Sequence, residues 1–128
     1  MKIRIESIPH HKQRYNTCGD WYEDLEGTQL RVSEMSSVDR EFLLAFHELV
    51  ECALCRKAGI SDSAVDEFDK GPGAELDDPG CDPRAPYHRQ HMIALGLEMV
   101  MAQLLDVPWT DYERELEVLS KSYPKSEP

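Results

Sequence analysis

Ser36-Ser37-Val38-Asp39-Arg40-Glu41-Phe42-Leu43-Leu44-Ala45-Phe46-His47-Glu48-Leu49-Val50-Glu51-Cys52-Ala53-Leu54-Cys55-Arg56-Lys57-Ala58-Gly59 decides the fold, because both ends and one face of a helix are written into it. The serines offer an N-cap, and Asp39 and Glu41 suit the positive end of the helix dipole. Arg56 and Lys57 suit the negative end, and Gly59 can take the left-handed conformation that closes a helix. These signals predict a helix over residues 38–58. At about 100° per residue, Leu43, Val50, Leu54 and Ala58 fall within roughly 60° of His47, with Leu44 at about 60° on the other side. Glu51 lies at about 40°, inside the same arc. Two ionisable groups thus sit where burial is deepest. A buried carboxylate costs several kcal/mol unless paired or bound to a metal. A histidine and a carboxylate at i and i+4 can share one ion.

Outward from this helix, residues 2–8 alternate apolar and charged and predict a strand. Residues 20–34 read as a β-hairpin, with Gly27 supplying a positive φ at the turn. Ser61 or Ser63 caps a short helix over about 62–69. Residues 71–86 form a loop rich in Pro, Gly and Asp, long enough to be mobile or functional. Pro86 opens a helix to about residue 106, which Pro108 ends. Thr110-Asp111-Tyr112-Glu113 is a capping-box pattern for a last helix to about residue 121. The expected architecture is α+β: a small antiparallel sheet, the hairpin plus the N-terminal strand, packed on about four helices. One domain spans 1–122, and a frayed tail covers 123–128.

The second half of a metal site is expected from Tyr87-His88-Arg89-Gln90-His91. His88 and His91 are three apart on one helical face that Met92, Leu95 and Met99 extend, with Glu98 two turns beyond His91 on the same side. Ile93, Leu97, Val100 and Leu104 cover the opposite face, so this helix is expected to be central and buried all round. Imidazole plus carboxylate favours zinc, with manganese or iron as alternatives. The site is expected between the two long helices, under the loop 71–86. Glu48 projects to the flank of the apolar face and reads, by position alone, as a solvated charge. Asp66 and Asp69 read as a capping and surface pair, with a role beside the histidines as the lesser alternative.

The chain has 128 residues, 25 acidic against 14 basic, and a formal net charge of −11. That is enough chain for one core, and the charge argues against nucleic-acid and anionic-membrane surfaces. The first residues read as a strand and not as a signal peptide, so a cytoplasmic location is expected. Cys18, Cys52, Cys55 and Cys81 are expected as reduced thiols. Cys52-Ala53-Leu54-Cys55 sits mid-helix and reads as packing; a four-cysteine zinc site with Cys18 and Cys81 is the alternative. Trp21, Tyr22 and Trp109 read as core or hairpin anchors. No Gly-rich phosphate loop or Gly-x-Ser-x-Gly elbow is present.

Residues 28–58, with His47-Glu48-Leu49-Val50-Glu51 at their centre, resemble the core of zincin-type metallopeptidases, where a strand and short loop lead into a His-Glu-x-x-His helix. Glu51 stands in place of the second histidine, a position a carboxylate can fill. The resemblance implies His47 as a ligand, Glu48 as the general base that activates water, Glu51 as second ligand, and His88 or His91 as third. The whole chain also resembles small phage-encoded proteins with a His-Glu-Leu-x-Glu helix and an Ala-Pro-Tyr-His stretch, which implies the host-cell cytoplasm. The reading is a zinc-dependent hydrolase, with peptide or amide bonds as first substrate class. The alternative is a non-enzymatic acidic phage accessory or inhibitor protein that binds a host protein and uses its metal structurally. A magnesium nucleotide hydrolase would want several acidic pairs on neighbouring helices, and here histidines dominate. Substrate and oligomeric state are not legible.

Overall fold

The computed structural model describes residues 1–125. Strand β1 (Ile3–Ile8) precedes β2 (Gly19–Asp24) and β3 (Gly27–Ser33), followed by helices α1 (Val38–Ala58), α2 (Asp62–Lys70), α3 (His88–Leu104) and α4 (Trp109–Ser122). The α+β class is as expected, but the sheet is mixed. β2 and β3 form the antiparallel hairpin, with Trp21 opposite Leu30, while β1 pairs parallel to β3, Ile5 opposite Leu30. The order β1-β3-β2 puts the hairpin's second strand in the middle. Residues 9–18, including a 3₁₀ turn at His10–Lys12, carry the chain from one edge of the sheet to the other. That crossover forces β1 and β3 to run the same way.

The ends of α1 follow their residues. The Ser37 side chain accepts from the Arg40 N–H at 3.2 Å, and Gly59 closes the helix at φ +76°. The Ile60 N–H then reaches the Cys55 carbonyl at 2.8 Å, a Schellman closure. Ser61, not Ser63, caps α2 through the Ala64 N–H. α3 begins at His88, so Pro86 lies before the helix rather than in its first turn. α4 starts at Trp109 with Pro108 as N-cap and no side-chain cap, which displaces the capping box expected at Thr110. Pro108 already holds the entering chain extended. Tyr123, expected to fray, donates its hydroxyl to the Gln13 carbonyl at 2.9 Å. The rest of that tail, from residue 126, lies outside the described residues.

α1 is covered on two sides, by β2 and β3 and by α3. Trp21, Leu30, Cys52, Cys55, Val65 and Phe68 share one core, which accounts for the buried cysteines as packing; all four cysteines are free thiols. Leu43, Ala102 and Tyr112 form another under α4. Because the cover is two-sided, the buried arc of α1 is wider than its apolar stripe and takes in Glu48, only 8% exposed. The expectation of a solvated Glu48 is thereby corrected. α3 departs further from expectation. Its buried residues are His91, Ala94, Glu98 and Ala102, while Met92, Ile93, Leu97, Met99, Val100 and Leu104 are exposed. The helix is not central: among the described residues no element covers its outer side. Among the described residues no helix is long and apolar enough to cross a membrane.

Candidate metal centre

α1 and α3 pack side by side, and each points a histidine at the seam. His47 Nε2 lies 3.1 Å from Glu51 Oε2, one helical turn along. His91 Nδ1 comes to 2.9 Å from the same oxygen and 3.2 Å from His47 Nε2. Tetrahedral coordination with bonds of 2.0–2.2 Å puts ligand atoms about 3.3 Å apart. The three atoms therefore already outline one face of such a site.

The outer nitrogens are held as well. His47 Nδ1 faces Glu98 Oε1 at 2.7 Å, and Tyr112 donates its hydroxyl to the other Glu98 oxygen. His91 Nε2 faces Asp78 Oδ2 at 3.2 Å. Trp21 Nε1–H donates to Glu51 Oε1 at 3.3 Å, which leaves Oε2 for the histidines. Every ring nitrogen of both histidines thus faces a carboxylate. A neutral imidazole has one N–H and one lone pair. If the outer nitrogens donate to Glu98 and Asp78, two lone pairs and a carboxylate oxygen converge on one point. Only protons or a cation can sit there at acceptable cost. Carboxylates behind metal-binding histidines fix ring tautomer and orientation in this way.

The electrostatics follow. Burial works against charge on His47, but hydrogen bonds to Glu51 and Glu98 outweigh it and hold the proton up to about 10. Burial likewise opposes charge on His91, and Asp78 and Glu51 raise it to about 10. Burial would raise Glu51, but its two histidine bonds bring it down to about 2. Glu48 behaves oppositely: burial, then the negative charge of Glu51, push its carboxyl well above the usual range. These are the directions of a cluster that holds protons; a divalent ion would displace them.

Glu48 has room only because residue 19 is glycine. A Cβ there would stand 2.5 Å from Glu48 Oε1. The loop expected over the site is in place, and Gly80, in the 3₁₀ turn Pro79–Cys81, packs on the His91 ring so closely that a Cβ would overlap it.

His47, Glu51 and His91 are thus brought together. His88 is not with them; it faces the Gly80 carbonyl through Nδ1 at 2.9 Å and so helps dock the loop. Asp66 pairs with Arg14 at 2.9 Å, and Asp69 accepts from Tyr15 and Tyr87, so Asp69 is no surface cap and touches no histidine. Sequence reasoning missed Asp78 and the Trp21 bond, and Glu98 was placed on the right side of α3 without its partner. Only the unusual buried Glu98 beside apolar neighbours could have signalled that pairing. Comparison with family models, with curated proteins and with solved structures gave no match for this chain.

Proposed function

We propose that the protein is a metal-dependent hydrolase, with zinc as the ion, held by His47 Nε2, Glu51 Oε2 and His91 Nδ1. The observation that carries this reading is the convergence of those three atoms, with both histidines backed by carboxylates. Two imidazoles and one carboxylate are an ordinary donor set for zinc. With His88 turned away, the protein supplies three ligands, the number that leaves a position for water in catalytic sites. An ion bound there lowers the pKa of water. Glu48, buried within the field of His47, Glu51 and His91, is then the base that the zincin likeness implies. Glu98, Asp78 and Trp21 orient the ligands. Peptide or amide substrates, and the zincin likeness that suggested them, belong to this reading and rest on the His47-Glu48-Leu49-Val50-Glu51 segment.

One observation favours a second reading. His47, Glu51 and His91 are each 9% exposed or less, and Gly80 covers the His91 ring. A sealed ion would brace α1 against α3 and catalyse nothing, leaving the acidic surface to bind a protein partner.

Elemental analysis and hydrolysis of generic peptide and ester substrates separate the outcomes. About one transition ion per chain is expected, lost in His47→Ala, Glu51→Ala and His91→Ala and kept in His88→Ala. Glu48→Gln should keep the ion and lose hydrolysis. A folded, metal-free protein from zinc-replete cells removes the metal reading. An ion-bound protein with no turnover in wild type moves the assignment to the structural reading.

A further inference from the structure

The outer side of α3 is an apolar face that nothing among the described residues covers. From Met92 to Leu104 its exposed positions are Met92, Ile93, Gly96, Leu97, Met99, Val100, Gln103 and Leu104, without one charge. That is unusual on a chain of net charge −11 in which 30% of residues are charged. The exposed apolar side chains range from 41% for Ile93 to 72% for Leu104. They present on the order of 500 Å² of apolar surface, at the upper end of what a monomer carries.

We infer that this face is a two-fold interface between two copies of the chain, with the α3 helices crossing antiparallel. A basic partner finds nothing to pair with here, so the occupant must itself be neutral and apolar. The chain carries such a surface with the required self-complementarity. Ile93, Leu97, Val100 and Leu104 recur at intervals of four, three and four, the spacing of a helix–helix seam. Antiparallel pairing sets Ile93 against Leu104 of the other copy and Leu97 against its Val100. Gly96 lies beside the centre, and a Cβ there would meet nothing within 4 Å, so the missing side chain serves no packing inside the monomer. Its absence lets two backbones approach. The same crossing brings exposed Arg89, before the seam, toward exposed Asp106, just past its end, in the other copy. A two-fold that covered all of these side chains would bury up to about 1,000 Å² in total, the floor for a specific interface. Because His91 and Glu98 sit on the opposite face of α3, the dimer would hold the helix that carries them without obstructing the metal centre.

Sedimentation velocity across the micromolar range reads the mass, and a dimer is expected. Gly96→Leu has free space in the monomer and a better helix former, so it should leave the circular dichroism intact and give a monomer. Leu97→Lys should do the same. In a Cys81→Ser background, Ile93→Cys with Leu104→Cys should form an inter-chain disulfide under mild oxidation, and either cysteine alone should form far less. A wild-type chain that stays monomeric at the top of the range overturns the inference and frees the face for a different occupant. A Gly96→Leu protein that remains dimeric, or single cysteines that cross-link as well as the pair, overturns it equally. None of these readouts depends on metal or activity.

Discussion

The two long helices bury charge in the same seam but are finished differently on their other sides. α1 gives His47, Glu48 and Glu51 to the interior and closes its remaining arc on the sheet with Leu44, Cys52 and Cys55. α3 gives His91 and Glu98 to the interior, beside Ala94 and Ala102, and leaves most of its larger apolar side chains in water. Beyond the small Ala94 and Ala102, α3 is therefore close to inside out, with His91 and Glu98 buried and Ile93, Leu97, Val100 and Leu104 exposed. Burying an aliphatic side chain contributes about 1.5–3 kcal/mol, whereas a buried pair of ionisable groups can fail to repay its desolvation. A fold that forgoes the first and accepts the second on one helix gains something other than stability from it. The inner face of α3 is shaped by its carboxylate partners, and the outer face by whatever covers it.

The sharpest way to break this contrast is to compare single truncations on the two faces of α3. Glu98→Ala strands His47 Nδ1 and the Tyr112 hydroxyl together inside the protein. Removing one partner of such a buried set costs about 3–5 kcal/mol. On the proposed metal reading, loss of the carboxylate behind a ligand should also weaken metal binding about 10–100-fold. Leu97→Ala, one residue away but outside, should cost less than about 1 kcal/mol when measured at monomer concentrations. Urea unfolding and chelator competition give both quantities. Equal losses from the two substitutions would show that α3 has no functional inner face.

Much of this arrangement was legible, and the gaps have physical causes. α1 announces itself because Ser37, Gly59 and the dipole charges are local signals that act within one turn. That His47 and Glu51 would meet a histidine of α3 was legible, because i,i+4 geometry and a buried carboxylate's need for a partner survive ignorance of the fold; the choice of His91 over His88 was not, since both lie on one face. The parallel pairing of β1 was not, since alternation specifies a strand but not its neighbour. Asp78 stayed hidden in a loop with no period, and its role exists only once Gly80 has docked on His91. Glu48 misled because its burial depends on a residue 29 positions earlier, Gly19, which matters for the side chain it lacks. α3 misled because an apolar residue signals a need for cover without saying that the same chain provides it.

The cover loop tests a different part of the contrast, the sealing of the seam. Gly80→Ala places a methyl against the His91 ring, which Glu51 and Asp78 hold at its two nitrogens. The loop must lift, at about 1–3 kcal/mol. If the hydrolase reading holds, metal exchange should speed up while the ligand set survives, which stopped-flow chelation would detect. An exchange rate unchanged from wild type would mean that the loop does not seal the centre.

The smallest effect lies beside the seam, at Asp69, and it carries a pH signature. Burial, and then the negative charges of Glu51 and Asp66, raise its carboxyl to about 6 although Tyr87 and Tyr15 donate to it. In the unfolded chain the group returns to about 3.9. The folded state therefore binds this proton more tightly than the unfolded one. That contribution to stability is fully present below about 4 and is lost as pH rises through 6. At neutral pH the ionised carboxylate is a cost, on the order of 1 kcal/mol once discounted for partial exposure. Asp69→Asn keeps an oxygen for the Tyr87 hydroxyl and removes the charge. The variant should be the more stable protein at pH 7.5, and its advantage over wild type should shrink between pH 6 and 4. Urea midpoints of the two proteins at pH 7.5 and 4.5 decide the matter. A constant offset would show that Asp69 titrates normally, and that the negative field of the α1–α3 seam does not reach α2.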